Sequence, residues 1–137
     1  MSLRARAIAI GVSALLMLGV AHAQDETIQK MVGSWQGKVD VRIEPERTLV
    51  IKSVAIQQGQ WIASIDYGPT GKSLSSMEAR IERQGGTPTV MFAMSTTSKV
   101  ELQLVSEGEL RGLLKIADGT GSWVGRKIVL QKISDKP

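Results

Sequence analysis

The chain of 137 residues has no cysteine, no asparagine and a single histidine, His22. Aromatic side chains are scarce as well: three Trp, one Tyr and one Phe. Each shortage excludes something. Without thiols there is no disulfide, no cysteine nucleophile and no thiolate metal site. With one imidazole at most, the usual zinc ligand sets are out of reach, and any Ser-His-Asp relay depends on His22 alone. No metal and no cofactor is therefore expected.

His22 itself sits in a segment with its own logic. Residues 1–6 carry Arg4 and Arg6 and no acid, residues 8–20 are almost wholly apolar, and Ala21-His22-Ala23 then forms a small-x-small site. That order is the one found in a secretory signal peptide. It predicts cleavage after Ala23, a single mature domain of residues 24–137, and a periplasmic or secreted location. The apolar stretch falls short of the roughly 20 residues that a membrane-spanning helix needs, and no cysteine follows it to carry a lipid. Cleavage would take His22 away, and with Arg4 and Arg6 gone the 17 basic side chains become 15 against 13 acids. So small an excess, spread along the chain, is not the clustered basic face that nucleic acid requires.

What is present is period-two patterning. Trp35, Gly37, Val39, Val41 and Ile43 alternate with Gln36, Lys38, Asp40 and Arg42, and the same rhythm returns in Trp61–Tyr67, Met77–Glu82, Val100–Leu104 and Leu110–Ile116. Residues 48–56 are apolar on both faces in part, 90–94 form a continuous apolar run, and 123–133 make a final strand. Turn residues separate these segments at Glu44-Pro45, Gln58-Gly59, Gly85-Gly86, Glu107-Gly108 and Asp118-Gly119. Residues 25–32 are expected to form a short helical turn with Ile28, Met31 and Val32 on its apolar side and Asp25 as its cap. The fold class is all-β, an antiparallel up-and-down meander of about eight strands. Closing it into a barrel removes both edges, with a two-sheet sandwich as the competing architecture.

One near-repeat joins the first and last strands: Gly33-Ser34-Trp35-Gln36-Gly37-Lys38 and Gly121-Ser122-Trp123-Val124-Gly125-Arg126. Each Trp is expected to plug one end of the barrel, with the following Gly making room on the same face. For Trp123 and Ile128 both to point inward, the last strand needs a bulge near Arg126-Lys127.

A helical turn followed by Gly33-Ser34-Trp35 at the start of an eight-strand exported meander resembles the lipocalins and the small lipocalin-like domains of bacterial exported proteins. The resemblance implies a calycin-type barrel in which a basic residue near the end of the last strand lies over the first Trp. Antiparallel pairing puts Lys132 in that neighbourhood, where lipocalins carry Arg. Gly33, Trp35, Gly37 and Lys132 are thus the structural signature. The lipocalin C-terminal helix and disulfides are absent.

The same resemblance sets which loops share an end. Residues 44–47, 68–76, 95–99 and 117–122 gather at one end, the expected mouth, and the compact turns at the other. Gly68-Pro69-Thr70-Gly71-Lys72-Ser73 lacks the leading glycine of a phosphate loop, since Asp66 stands there. Its backbone amides and Lys72 could still meet an anionic headgroup. The expected function is non-catalytic binding of a small apolar or amphipathic ligand, with Trp61, Tyr67, Lys72, Phe92 and Trp123 as ligand-binding candidates. Sequence leaves open whether Ala and Gly leave a cavity or the side chains fill the barrel. The alternative is a protein-interaction barrel, an inhibitor or accessory subunit of an exported enzyme. Exported bacterial metalloprotease inhibitors are similar in size and shape, and that likeness implies use of residues 24–30 as the inserted segment. Val90, Phe92 and Met94 are the candidate surface for a partner or a homodimer. Catalysis is not expected, and its surviving route would be a carboxylate, Asp66 or the Glu44/Glu46 pair.

Overall fold

The computed structural model describes residues 26–137, so the expected leader, its cleavage site and the Asp25 cap lie outside the described residues. Eight strands follow in order: β1 (Gly33–Val39), β2 (Glu46–Gln57), β3 (Gln60–Pro69), β4 (Ser75–Gln84), β5 (Thr87–Ser95), β6 (Ser98–Ser106), β7 (Glu109–Ala117) and β8 (Trp123–Ser134). Every strand pairs antiparallel with the next, and β8 returns to β1, so the sheet closes into a barrel. Two-residue connections between β2 and β3, β4 and β5, and β6 and β7 gather at one end. Residues 40–45, 70–74, 96–97 and 118–122 connect the strands at the other.

The compact end is plugged. Residues 26–29 form one helical turn, closed by the Lys30 amide donating to the Glu26 carbonyl at 3.0 Å. Its apolar side drops Ile28 and Met31 into the barrel, both fully buried against the core. Trp35 sits beneath them, and its indole N–H donates to the Met31 carbonyl at 3.0 Å. That bond satisfies the one polar atom of an otherwise apolar ring.

Alternation then fills the waist. Leu49 and Ile51 of β2, Ile65 of β3, Leu102 of β6, Leu110 of β7 and Leu130 of β8 have no exposed surface. No water-sized space touches them, so the middle of the barrel is solid. β2 contributes more than strict alternation allows: the register with β3 shifts between Ile51 and Ser53, and after that bulge Val54 faces inward too. This explains why 48–56 reads as apolar on both faces. Close strand approach needs glycine at two interior positions. A Cβ on Gly37 would run into the Val129 carbonyl and come within 2.8 Å of Leu130 Cα, and one on Gly112 would run into the Glu101 carbonyl.

The last strand departs from the sequence expectation. β8 pairs with β7 without a break from Glu109↔Gln131 to Ala117↔Trp123. No bulge falls at Arg126-Lys127, so Trp123 stays on the face opposite Ile128 and Leu130 and points outward, 43% exposed. The two Gly-Ser-Trp segments are therefore not equivalent. One plugs the barrel and the other decorates its wall, where a Cβ on Gly125 would meet only the Leu113 side chain, at 3.4 Å.

Candidate functional site

The open end is built on the ends of β2, β3, β4 and β5. Between β4 and β5 the register runs only from Gln84↔Thr87 to Arg80↔Met91. Beyond that point β4 continues to pair with β3 down to Ser75, and β5 continues with β6 up to Ser95. The two strands thus part toward the open end and leave facing edges unpaired. A recess of about 290 Å³ lies against this parting, with Arg80, Met91, Phe92 and Lys99 in its walls.

Behind the parting stand two aromatic rings. Tyr67 and Phe92 meet edge to face, centroids 5.0 Å apart and planes at 62°, a favourable geometry for ring quadrupoles. Met77 and Met94, half buried, pack on the same core from β4 and β5. Tyr67 is only 2% exposed, yet its hydroxyl has no hydrogen-bond partner. The other such buried atom among the described residues, the Thr89 hydroxyl, lies nearer the plugged end of β5. Leaving a buried hydroxyl unpaired costs about 1–3 kcal/mol. Burial pushes the Tyr67 phenol above its ordinary value, and the Arg47 guanidinium, near enough to act on the hydroxyl by charge and as a donor though short of a well-formed hydrogen bond, pulls in the opposite direction.

Arg47 forms the lip above that pair. Its guanidinium carbon is 6.0 Å from the Tyr67 ring centroid, and its Nε donates to the Glu44 carbonyl at 2.8 Å. Glu44 adopts φ 51°, a left-handed turn conformation, and its carboxylate is ion-paired with Lys72. Thr48 and Thr70 hydroxyls join across the same rim at 2.8 Å. The lip therefore offers one guanidinium with no carboxylate partner among the described residues, above one phenol that lacks a well-formed hydrogen bond.

The ligand-binding candidates read from sequence are not one cluster. Tyr67 and Phe92 come together, and Lys72 stands on the rim, held by Glu44. Trp61 pairs with Ile81 near the plugged end, far along the barrel from Lys72. Trp123 lies outside the barrel, with the Lys99 ammonium 4.4 Å from its ring centroid. Arg47 was missed: it reads as a turn residue, and only its place one alternation before Leu49 puts it over the core. Val90 and Phe92 are buried, and Met94 packs inward with them. They are interior residues rather than an exposed partner surface, and Met91 and Ala93 face out instead.

At the plugged end, Lys132 stands directly opposite Trp35 in the β1–β8 register, its ammonium 5.6 Å from the ring centroid. It also donates to the Lys30 carbonyl at 2.5 Å and pairs with Asp135 at 2.8 Å. A surface recess of about 690 Å³ is here, but the charged side chains in its walls satisfy one another, Lys30 with Glu107 and Lys132 with Asp135.

Asp66 and Tyr67 point to opposite faces of β3. The Ser76 hydroxyl donates to the Asp66 carboxylate at 2.6 Å and Lys52 lies 3.0 Å away, which together hold its pKa below the ordinary carboxylate value. No three His, Cys, Asp or Glu side chains converge on a metal position among the described residues. No family model, no curated protein and no solved structure matches this chain.

Proposed function

We propose that the protein is an exported, non-catalytic, lipocalin-like barrel that binds a small amphipathic ligand at its open end. The polar head of the ligand meets the Arg47 guanidinium and the Tyr67 hydroxyl, and its apolar part lies in the parting of β4 and β5 against Phe92, Met77 and Met94. The single observation that carries this reading is the Tyr67 hydroxyl, buried without a well-formed hydrogen bond behind the parting of β4 and β5. An unsatisfied buried group calls for an explanation, and a ligand atom that completes it is a direct one. A guanidinium with no carboxylate partner adds a natural acceptor for a carboxylate or phosphate head. Met91 lines the recess and Met77 and Met94 pack on the core beside it, and flexible thioethers suit an adaptable apolar contact. Because the waist is filled, the ligand is held in the upper third of the barrel rather than engulfed.

The alternative, a partner-binding barrel that inserts its N-terminal segment, has less support. Ile28 and Met31 already close the barrel, and withdrawing them would open the core over Trp35.

The test is native mass spectrometry of the purified protein, followed by titration with a panel of fatty acids, lysophospholipids and neutral fatty alcohols. Binding of acidic amphiphiles, weakened in Arg47→Gln and in Tyr67→Phe, is expected. No bound mass and no response across the panel would sink the proposal.

A further inference from the structure

A second feature of the open end lies on the opposite side of the barrel from the β4–β5 parting. Loop 40–45 and the end of the β7–β8 hairpin meet there, tied by the Asp40 amide donating to the Lys127 carbonyl at 2.8 Å. Between them is a recess of about 470 Å³ with Val41, Arg42, Ile116 and Arg126 in its walls and Asp40 as its one carboxylate. Val124 stands directly opposite Ile116. Around the rim the exposed apolar side chains are concentrated: Ile43 is 79% exposed, Ile116 38%, Val124 41% and Trp123 43%.

Basic side chains accompany them. Among the described residues, Arg42, Arg126 and Lys127 have no carboxylate partner, and Lys99 is stacked on Trp123 rather than ion-paired. The nearby Lys115 and Asp118 do not alter this balance. Lys115 is neutralised by Glu101 at 2.9 Å, and the Asp118 carboxylate is turned into its own loop toward Thr120. With 15 basic and 13 acidic side chains in residues 24–137, four unpaired cations on one corner are a concentration that the overall balance does not predict.

We propose that this corner is a peripheral docking surface for an anionic lipid bilayer. Arg42 and Arg126 would take lipid phosphates, for which a planar guanidinium is fitted. Trp123, flanked by Lys99, would sit at headgroup level, where an amphipathic ring with a cationic neighbour is favoured. Ile43, Ile116 and Val124 would enter the top of the acyl region. The charge of this corner is complementary to acidic lipid, and juxtamembrane basic residues contribute about 1 kcal/mol each near such a surface. The proposal stands apart from the ligand reading: the two have only Lys99 in common, which lines the β4–β5 recess and is left unchanged in the test below.

The experiment is co-sedimentation of the processed protein, released by cells expressing the full chain, with vesicles of phosphatidylglycerol or of phosphatidylcholine. Binding is expected to phosphatidylglycerol at low salt, weakening as salt rises and the charges are screened. Partitioning should fall roughly 25-fold in the Arg42→Gln/Arg126→Gln double variant, about fivefold per charge. Both arginines are exposed and unpaired, so the variant should keep the circular dichroism spectrum of the parent. Vesicle binding should also shift the tryptophan emission to the blue, and Trp123→Phe should abolish that shift while Trp35 and Trp61 remain. Absence of binding to phosphatidylglycerol vesicles, equal binding to both lipids, or binding unchanged in the double variant would each overturn the proposal. The first of these would leave an acidic protein as the occupant of this corner. Acidic-amphiphile titration of the same double variant should be unchanged, which keeps the two readings separable.

Discussion

Replacing Tyr67 by Phe separates what the hydroxyl costs from what it does. In the free protein the oxygen is buried with no partner, a penalty of about 1–3 kcal/mol. The ring, by contrast, keeps everything it has: the edge contact with Phe92 at 5.0 Å and the Arg47 guanidinium above its face. Removing the oxygen leaves a gap smaller than a methyl group, whose own cost offsets only part of the relief. Tyr67→Phe should therefore stabilise the barrel by about 1 kcal/mol, read as a higher urea midpoint at unchanged m-value or as a melting temperature raised by roughly 4 °C. The same substitution should weaken acidic-amphiphile binding about five- to tenfold, the worth of one hydrogen bond. Stability and binding should thus move in opposite directions. Tyr67 is the only tyrosine, so tyrosinate absorbance reports this group alone. It should titrate above its ordinary value of 10.0, burial being the dominant cause. Destabilisation by 1 kcal/mol or more would mean that the hydroxyl is already satisfied in the free protein. The reasoning that assigns it to a ligand would then fail.

The two glycines of the repeated segment should respond differently. Gly37→Ala forces a methyl into the backbone of β8 and should cost about 3 kcal/mol or more by overpacking, whereas Gly125→Ala, which meets only a movable leucine side chain, should change the urea midpoint little. For pH dependence, the folded pKa of Asp66 lies below its ordinary value of 3.8, chiefly through the Ser76 hydroxyl and Lys52. Its contribution is therefore fully present above the unfolded pKa and lost as pH falls through the folded value. Asp66→Asn should be less stable than the parent at neutral pH, with the gap in urea midpoint closing below about pH 4.

Much of the architecture was legible because alternation is a local property. A strand with Val, Ile or Leu at every second position must present those side chains to one side, and short Gly-containing turns leave consecutive strands no choice but to pair. Half of the plug was legible: Trp35 opens an alternating strand and antiparallel counting carries it to Lys132, whereas nothing in residues 25–32 says that Ile28 and Met31 close over it. The candidate site was only half legible. Tyr67 and Phe92 could be read as inward, but nothing in either segment says that the two rings touch. Trp61 and Trp123 misled because an aromatic residue in a strand reports burial without saying at which end, or on which side, it lies.

Sequence by itself determined eight antiparallel strands, their order and an aliphatic interior, since period-two patterning and turn chemistry act within a few residues. Tertiary structure decided the phase. Closure slipped β2 by one residue after Ile51, which turned Val54 inward, and it held β8 in continuous register with β7, which turned Trp123 out. It also parted β4 from β5 past Arg80 and Met91 and stranded the Tyr67 hydroxyl behind the opening. Which face turns inward, where a register slips and which strands separate depend on the neighbours that must meet to close a barrel. No single strand carries that information.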